Sequence, residues 1–110
     1  MGFFSGLFGK KDGPYEKYYG NGQLKSKGAY KDGQEHGPYE WYQRSGQLNK
    51  KCTYVRGLVH GPYVEYLPSG GVYRKGTYNM GQKCGEWIRF GEVDTLMTND
   101  PCPPDLEDGN

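Results

Sequence analysis

The stretch Gly37-Pro38-Tyr39-Glu40-Trp41-Tyr42 decides the fold. Gly13-Pro14-Tyr15-Glu16-Lys17-Tyr18 stands ahead of it and Gly61-Pro62-Tyr63-Val64-Glu65-Tyr66 behind it, and Gly85-Glu86-Trp87-Ile88-Arg89-Phe90 is a looser fourth copy. The leading glycines fall at 13, 37, 61 and 85, a constant step of 24 residues. A period in this range marks a repeat array, in which each unit is too small to bury its apolar face alone and stacks on its neighbour. The intervals repeat as well. Gln23-Leu24 returns as Gln47-Leu48 and, more weakly, Gly71-Val72; Gly28-Ala29-Tyr30 returns as Cys52-Thr53-Tyr54 and Gly76-Thr77-Tyr78. Three whole repeats and one partial repeat fill residues 13–91.

Each repeat reads as two strands, residues 15–19 and 23–31 in the first, rich in strand-favouring Tyr, Trp and Thr and separated by glycine. Asn21-Gly22 reads as a two-residue hairpin turn, because both residues tolerate positive φ; Ser45-Gly46 and Ser69-Gly70 hold the same place, and Lys31-Asp32-Gly33 turns the chain into the next repeat. Such a turn pairs Tyr19 with Leu24, Lys17 with Ser26 and Tyr15 with Gly28 on one face, and Tyr18 with Lys25 and Glu16 with Lys27 on the other. In the third repeat it sets Tyr66 opposite Tyr73. Aromatic rings then face small residues, and acids face bases, as a consistent antiparallel register requires. The expected core is one aromatic face: Tyr15, Tyr39, Tyr63 and Trp87, flanked by Leu24, Leu48 and Val72 and continued by Tyr30, Tyr54 and Tyr78. The expected fold is all-β, a single elongated antiparallel sheet of tandem hairpins with short terminal caps, seven strands spanning about 30 Å at about 4.8 Å each.

At 110 residues the chain is one domain. Eleven tyrosines stand in for a missing aliphatic core, and a half-exposed sheet suits a ring with a wet hydroxyl. Fourteen bases and seven acids leave residues 1–91 at +7, whereas residues 92–110 carry six acids and no base. A basic body with an acidic tail implies either internal screening or an electrostatic partner. Cys52, Cys84 and Cys102 are odd in number and form no disulfide framework, so a reducing, cytoplasmic setting is expected. No run reaches transmembrane length, and the N-terminus makes a poor secretion signal.

Residues 1–12 are expected to act as an apolar cap on the first repeat or as an anchor, through Phe3, Phe4, Leu7 and Phe8. A myristoylation signal is not matched, since Gly6 stands where Ser or Thr is needed. Residues 92–110 are expected to form a short cap, through Val93, Leu96 and Met97, and then an acidic, Pro-containing mobile tail.

The units resemble the membrane-occupation-and-recognition-nexus (MORN) repeats, and more closely the variant repeats common in bacterial proteins and often labelled antitoxin-like. The residues that carry the likeness are Gly37-Pro38-Tyr39-Glu40-Trp41-Tyr42, Ser45-Gly46-Gln47-Leu48, Thr53-Tyr54 and Gly57, with Asn21-Gly22-Gln23-Leu24-Lys25-Ser26-Lys27-Gly28 in the first unit. The resemblance implies an elongated sheet of hairpins that binds other proteins, sometimes lipid, and carries no catalysis. The antitoxin label implies neutralising a partner by contact. The fourth unit departs from the pattern, with Glu86 in place of proline and no following hairpin, so the array is expected to end there.

No catalytic, cofactor-binding or metal site is expected. His36, His60 and Cys84 hold one place in successive repeats, but equivalent positions lie two strands apart, about 9.6 Å, too far to share one ion. They read as loop residues. Cys52 reads as a small buried thiol under Tyr39, and Glu16 and Glu40 each face a lysine, which leaves no carboxylate pair for acid–base work. The Gly-x-Gly fragments precede no helix and are turns rather than phosphate loops.

What remains is a surface. Lys27, Lys51 and Lys75 recur in phase opposite the aromatic core, with Lys25 near and Tyr18, Tyr42, Tyr66 and Phe90 between them. The fifth place of the repeat varies freely, as Lys17, Trp41, Glu65 and Arg89, so Trp41 is read as the exposed aromatic. Expected partner-binding residues are Trp41, Tyr42, Tyr66, Tyr73, Lys27, Lys51 and Lys75. The chain is read as a non-enzymatic scaffold that binds a partner protein, with an anionic membrane surface second and nucleic acid third.

Overall fold

Two kinds of glycine turn build the sheet, and they differ in what they do to the strands beside them. The computed structural model describes residues 11–94 and 99–107. The strands are β1 (Gly13–Tyr18), β2 (Leu24–Lys31), β3 (Gln34–Glu35), β4 (Gly37–Tyr42), β5 (Leu48–Val55), β6 (Leu58–Val59), β7 (Gly61–Tyr66), β8 (Val72–Asn79), β9 (Gln82–Arg89) and β10 (Glu92–Val93), followed by one helical turn, α1 (Pro104–Glu107). All pairings are antiparallel in one sheet ordered β1-β2-β4-β5-β7-β8-β9-β10, with β3 on β2 and β6 on β5. The seven longer strands are the expected meander, and the elongated body measures 49 × 34 × 20 Å.

The first kind of turn corrects the register. Gly20-Asn21-Gly22 is a three-residue loop: the Tyr19 N–H donates to the Gln23 carbonyl at 2.9 Å, and the Gly22 N–H donates to the Tyr19 carbonyl at 3.0 Å. Only Gly22 takes positive φ (88°), while the Asn21 side chain accepts the Gln23 N–H at 2.9 Å. A loop of this length ends in a bulge rather than a flush pair. Tyr15↔Gly28, Glu16↔Lys27 and Lys17↔Ser26 hold as expected, but Tyr18 pairs with Leu24 and leaves Lys25 as the extra residue. The same shift sets Tyr42 against Leu48 and Tyr66 against Val72, not Tyr73. Opposed residues share a face, so Leu24, Leu48 and Val72 lie with Tyr18, Tyr42 and Tyr66, away from the aromatic core.

The second kind has two residues, both at positive φ: Asp32-Gly33, Arg56-Gly57, Met80-Gly81 and Phe90-Gly91. These tight hairpins twist with the strands they join. The last of them folds β10 onto β9, Glu92 against Arg89 and Val93 against Ile88. Strand pairing therefore continues past Phe90, where the array was expected to end.

The core is one ring deep. Tyr39, Cys52, Tyr63 and Trp87 are buried, with Tyr15, Trp41, Tyr54, Val59 and Tyr78 packed against them. Each ring stands opposite a small residue in the ladder, Tyr15 opposite Gly28, Tyr39 opposite Cys52 and Tyr63 opposite Gly76, and Trp87 of the next strand lies over Gly76. Tyr63 and Tyr78 meet nearly edge-on at 5.3 Å, and Tyr78 and Trp87 at 5.1 Å, a geometry aromatic quadrupoles prefer. Burial raises the Tyr39 and Tyr54 hydroxyls to about 12 and the Cys52 thiol to about 11, so that thiol stays protonated.

The C-terminal segment differs from the mobile tail expected of it. Cys84 and Cys102 form a disulfide, with Cα atoms 4.9 Å apart, so the odd cysteine count reflects Cys52 alone. The Gly85 N–H donates to the Asp100 carbonyl at 2.8 Å, Asn99 Nδ2 donates to the Gly85 carbonyl at 3.1 Å, and Leu106 of α1 is buried. Val93 lies in β10 and is exposed, rather than in a cap helix; Leu96 and Met97, like Phe3, Phe4, Leu7 and Phe8, fall outside the described residues.

Candidate protein-binding surface

Strand alternation and the bulges distribute the expected binding residues over two faces. The face opposite the rings carries a cross-strand row: Glu16, Lys27, Glu40, Lys51, Val64, Lys75 and Ile88. Lys27 pairs with Glu40 of the next repeat at 3.5 Å. Tyr42 hydrogen-bonds the same carboxylate, which raises its hydroxyl to about 12, and Tyr18 hydrogen-bonds Glu16. The row begins as alternating charge and ends apolar, with Lys75 between Val64 and Ile88. Lys27, Lys51, Lys75, Tyr42 and Tyr66 thus share one face. Tyr73 is the extra residue of the third bulge and packs against Phe90 with ring centroids 5.2 Å apart.

Trp41 is the correction here. It lies two residues beyond Tyr39 on the same strand, so it shares the ring face, half-buried, with its ring centroid 6.3 Å from that of Tyr39. Sequence variation at the fifth place misled, because that place belongs to the rim of the core rather than to the opposite surface. Its row across the sheet reads Lys17, Ser26, Trp41, Lys50, Glu65, Arg74 and Arg89. Lys25 and Lys50 bring their ammonium groups to 5.8 and 5.7 Å from the indole centroid. Arg44 lies 5.1 Å over Tyr19, whose hydroxyl donates to the Tyr42 carbonyl at 2.7 Å. Further along, Arg74 binds Glu65 at 2.8 Å and Arg89 pairs with Asp94 at 3.4 Å. Burial and the neighbouring Arg74 lower the Lys83 ammonium, which stands 4.6 Å over Trp87.

Sequence reasoning missed Lys50, Tyr19 and Arg44 as members of this surface. Alternation back from Cys52 would have found Lys50. Nothing local announces Lys25 on the ring side, because only the bulge turns it there.

The place held by His36 and His60 also has work to do. The Arg56 N–H donates to His36 Nδ1 at 3.4 Å and the Met80 N–H to His60 Nδ1 at 2.9 Å; one repeat earlier, Asp12 Oδ1 accepts the Asp32 N–H at 2.8 Å. Beside each of these bonds a turn glycine donates to the preceding unit: Gly33 to the Lys11 carbonyl, Gly57 to Glu35 and Gly81 to Val59. This clasp ties the first three tight turns to the unit before each. Cys84, next in the series, is in the disulfide instead. Among the described residues no group of three or more His, Cys, Asp and Glu is placed to hold a metal ion, and no helix is long and apolar enough to cross a membrane.

A family model described as the MORN repeat variant matches residues 11–32, 35–56 and 59–80. The chain belongs to this MORN repeat variant family. The three matched segments coincide with the three hairpin units, each running into its tight turn, while the fourth unit lies beyond the match. The chain is thus a MORN repeat scaffold, with an all-β sheet of hairpins repeating every 24 residues. No curated protein matches it.

Proposed function

We propose that this MORN repeat scaffold works by binding a partner protein on the ring face of its sheet, without catalysis and without a cofactor. The observation that carries the reading is Trp41, half-buried beside Tyr39 yet reached by two lysines, on the single sheet that the described residues form. Tryptophan supplies large contact area at little cost in side-chain entropy and is enriched where interfaces concentrate their affinity. Contact of this kind would neutralise a partner in the antitoxin-like way that the repeat resemblance implies. The Cys84–Cys102 disulfide fits an oxidising compartment better than the cytoplasm expected from the cysteine count.

The test is affinity capture from the source cell with the wild-type chain and with Trp41→Ala, read by quantitative mass spectrometry. A protein enriched on the wild type and depleted about tenfold on Trp41→Ala is the expected result. Capture that is indifferent to Trp41, or capture of lipid or nucleic acid alone, overturns the reading.

A further inference from the structure

The fold leaves the cations at the N-terminal end of the ring face unanswered. Lys17, Lys25, Arg44 and Lys50 have no ion-pair partner among the described residues; each lies over a ring instead, Lys17 over Tyr15 at 5.6 Å and the others over Tyr19 or Trp41. The acids that could serve them are engaged elsewhere. Glu65, across the ladder from Lys50, is held by Arg74 at 2.8 Å and by the Tyr63 hydroxyl at 3.0 Å, and Glu35 accepts the Tyr15 hydroxyl at 2.7 Å. Lys25 and Lys50 therefore stand as like charges around one indole, 5.8 and 5.7 Å from its centroid, with no acid paired to either among the described residues. Such a field draws an anion to the ring.

We propose that this surface takes an acidic, extended polypeptide segment of the partner protein, laid across Trp41 with its carboxylates on Lys17, Lys25, Arg44 and Lys50. The inference rests on the protein-binding reading and adds the chemistry of the partner. Spaced carboxylates suit cations set along several strands of an open sheet. Nucleobases need free ring faces to stack on, and here lysines and Arg44 already lie over the rings. A bilayer needs protruding apolar side chains, but among the described residues the exposed ones do not lie among these cations: Tyr18 and Val72 are on the opposite face, Leu58, Met80 and Phe90 sit at or beside the tight turns, and Val93 is in β10.

The experiment is fluorescence anisotropy of the full chain with a labelled peptide of alternating Glu and Ser. A length on the order of ten residues, at about 3.3 Å each, crosses β1, β2, β4 and β5. A Gln/Ser peptide, single-stranded DNA of similar length and phosphatidylserine vesicles are run beside it. The Glu peptide is expected to bind alone among the four and to weaken with salt. Lys25→Gln with Lys50→Gln should weaken it about fivefold, and Lys51→Gln with Lys75→Gln, on the other face, should change it by less than about twofold. Thermal melts confirm folding; if the first pair shifts the melt, Lys25→Arg with Lys50→Arg must keep the affinity. Failure of the Glu peptide to bind, equal losses in the two pairs, or DNA or vesicles binding in its place overturns the proposal. If the peptide fails while Trp41-dependent protein capture persists, the acidic segment is wrong and the protein-binding reading stands; failure of both overturns both.

Discussion

Trp87 lies across Gly76 so closely that a Cβ on the glycine would stand 2.2 Å from indole Cδ2. The indole is the least exposed of the core side chains, and its Nε1 donates to the Thr77 carbonyl at 3.2 Å, so it cannot withdraw without losing a buried hydrogen bond. The same place holds Gly28 under Tyr15 and Cys52 under Tyr39, so the ring decides how much room the position has.

Gly76→Ala is therefore expected to destabilise the protein by about 2–3 kcal/mol, the upper part of the range for overpacking. In a domain of this size that lowers Tm by roughly 10 °C or more. Gly28→Ala should cost less, because its Cβ would meet Tyr15 at 3.0–3.1 Å and that ring is only partly buried. Thermal melts that reverse this order show that Trp87 does not set the space.

The clasp between repeats gives a second test. His60→Ala removes the acceptor for the Met80 N–H and should cost about 0.5–1.5 kcal/mol. His60→Asp should restore most of that, since Asp12 serves the Asp32 N–H in the same way at 2.8 Å. Amide hydrogen exchange at Met80 reads the bond directly: protection should fall in the alanine variant and return in the aspartate variant.

Alkaline pH should unfold the sheet. Burial raises Tyr39 and Tyr54 to about 12, while an exposed tyrosine in the unfolded chain titrates near 10. Above about pH 10 the unfolded chain releases protons that the folded chain still holds, so stability is complete below that pH and falls as pH rises from 10 to 12. Denaturant midpoints across this window should fall together with tyrosinate absorbance; midpoints that stay level mean the rings ionise without leaving the sheet.

Reduction should loosen the C-terminal end. The disulfide spans 18 residues, and closing a loop of that size is worth about 3 kcal/mol in the chain-entropy model. Cys84→Ser with Cys102→Ser should lower Tm and expose the Gly85 amide, now bonded to the Asp100 carbonyl, to exchange. The amides of β1 and β2, at the far end of the array, should keep their protection. Loss of protection there as well would mean that the array opens only as a whole.

Much of this molecule was legible in the chain because a hairpin array is local. Tyr15, Tyr39 and Tyr63 recur every 24 residues, each strand pairs with its sequence neighbour, and alternation alone put these rings on one face, opposite Gly28, Cys52 and Gly76 in the ladder. What local signals could not decide was the length of a turn. Asn21-Gly22 serves a two-residue or a three-residue loop equally well, and the difference of one residue carried Leu24 off the ring face and turned Lys25 toward Trp41. The Cys84–Cys102 bond was hidden for a different reason: a separation of 18 residues says nothing about distance until the tail folds back and brings the Cα atoms to 4.9 Å. Period and alternation are properties of neighbours along the chain and can be read there. The candidate surface depends on bulges and on which cations find no acid across the sheet, and those exist only once the strands are paired.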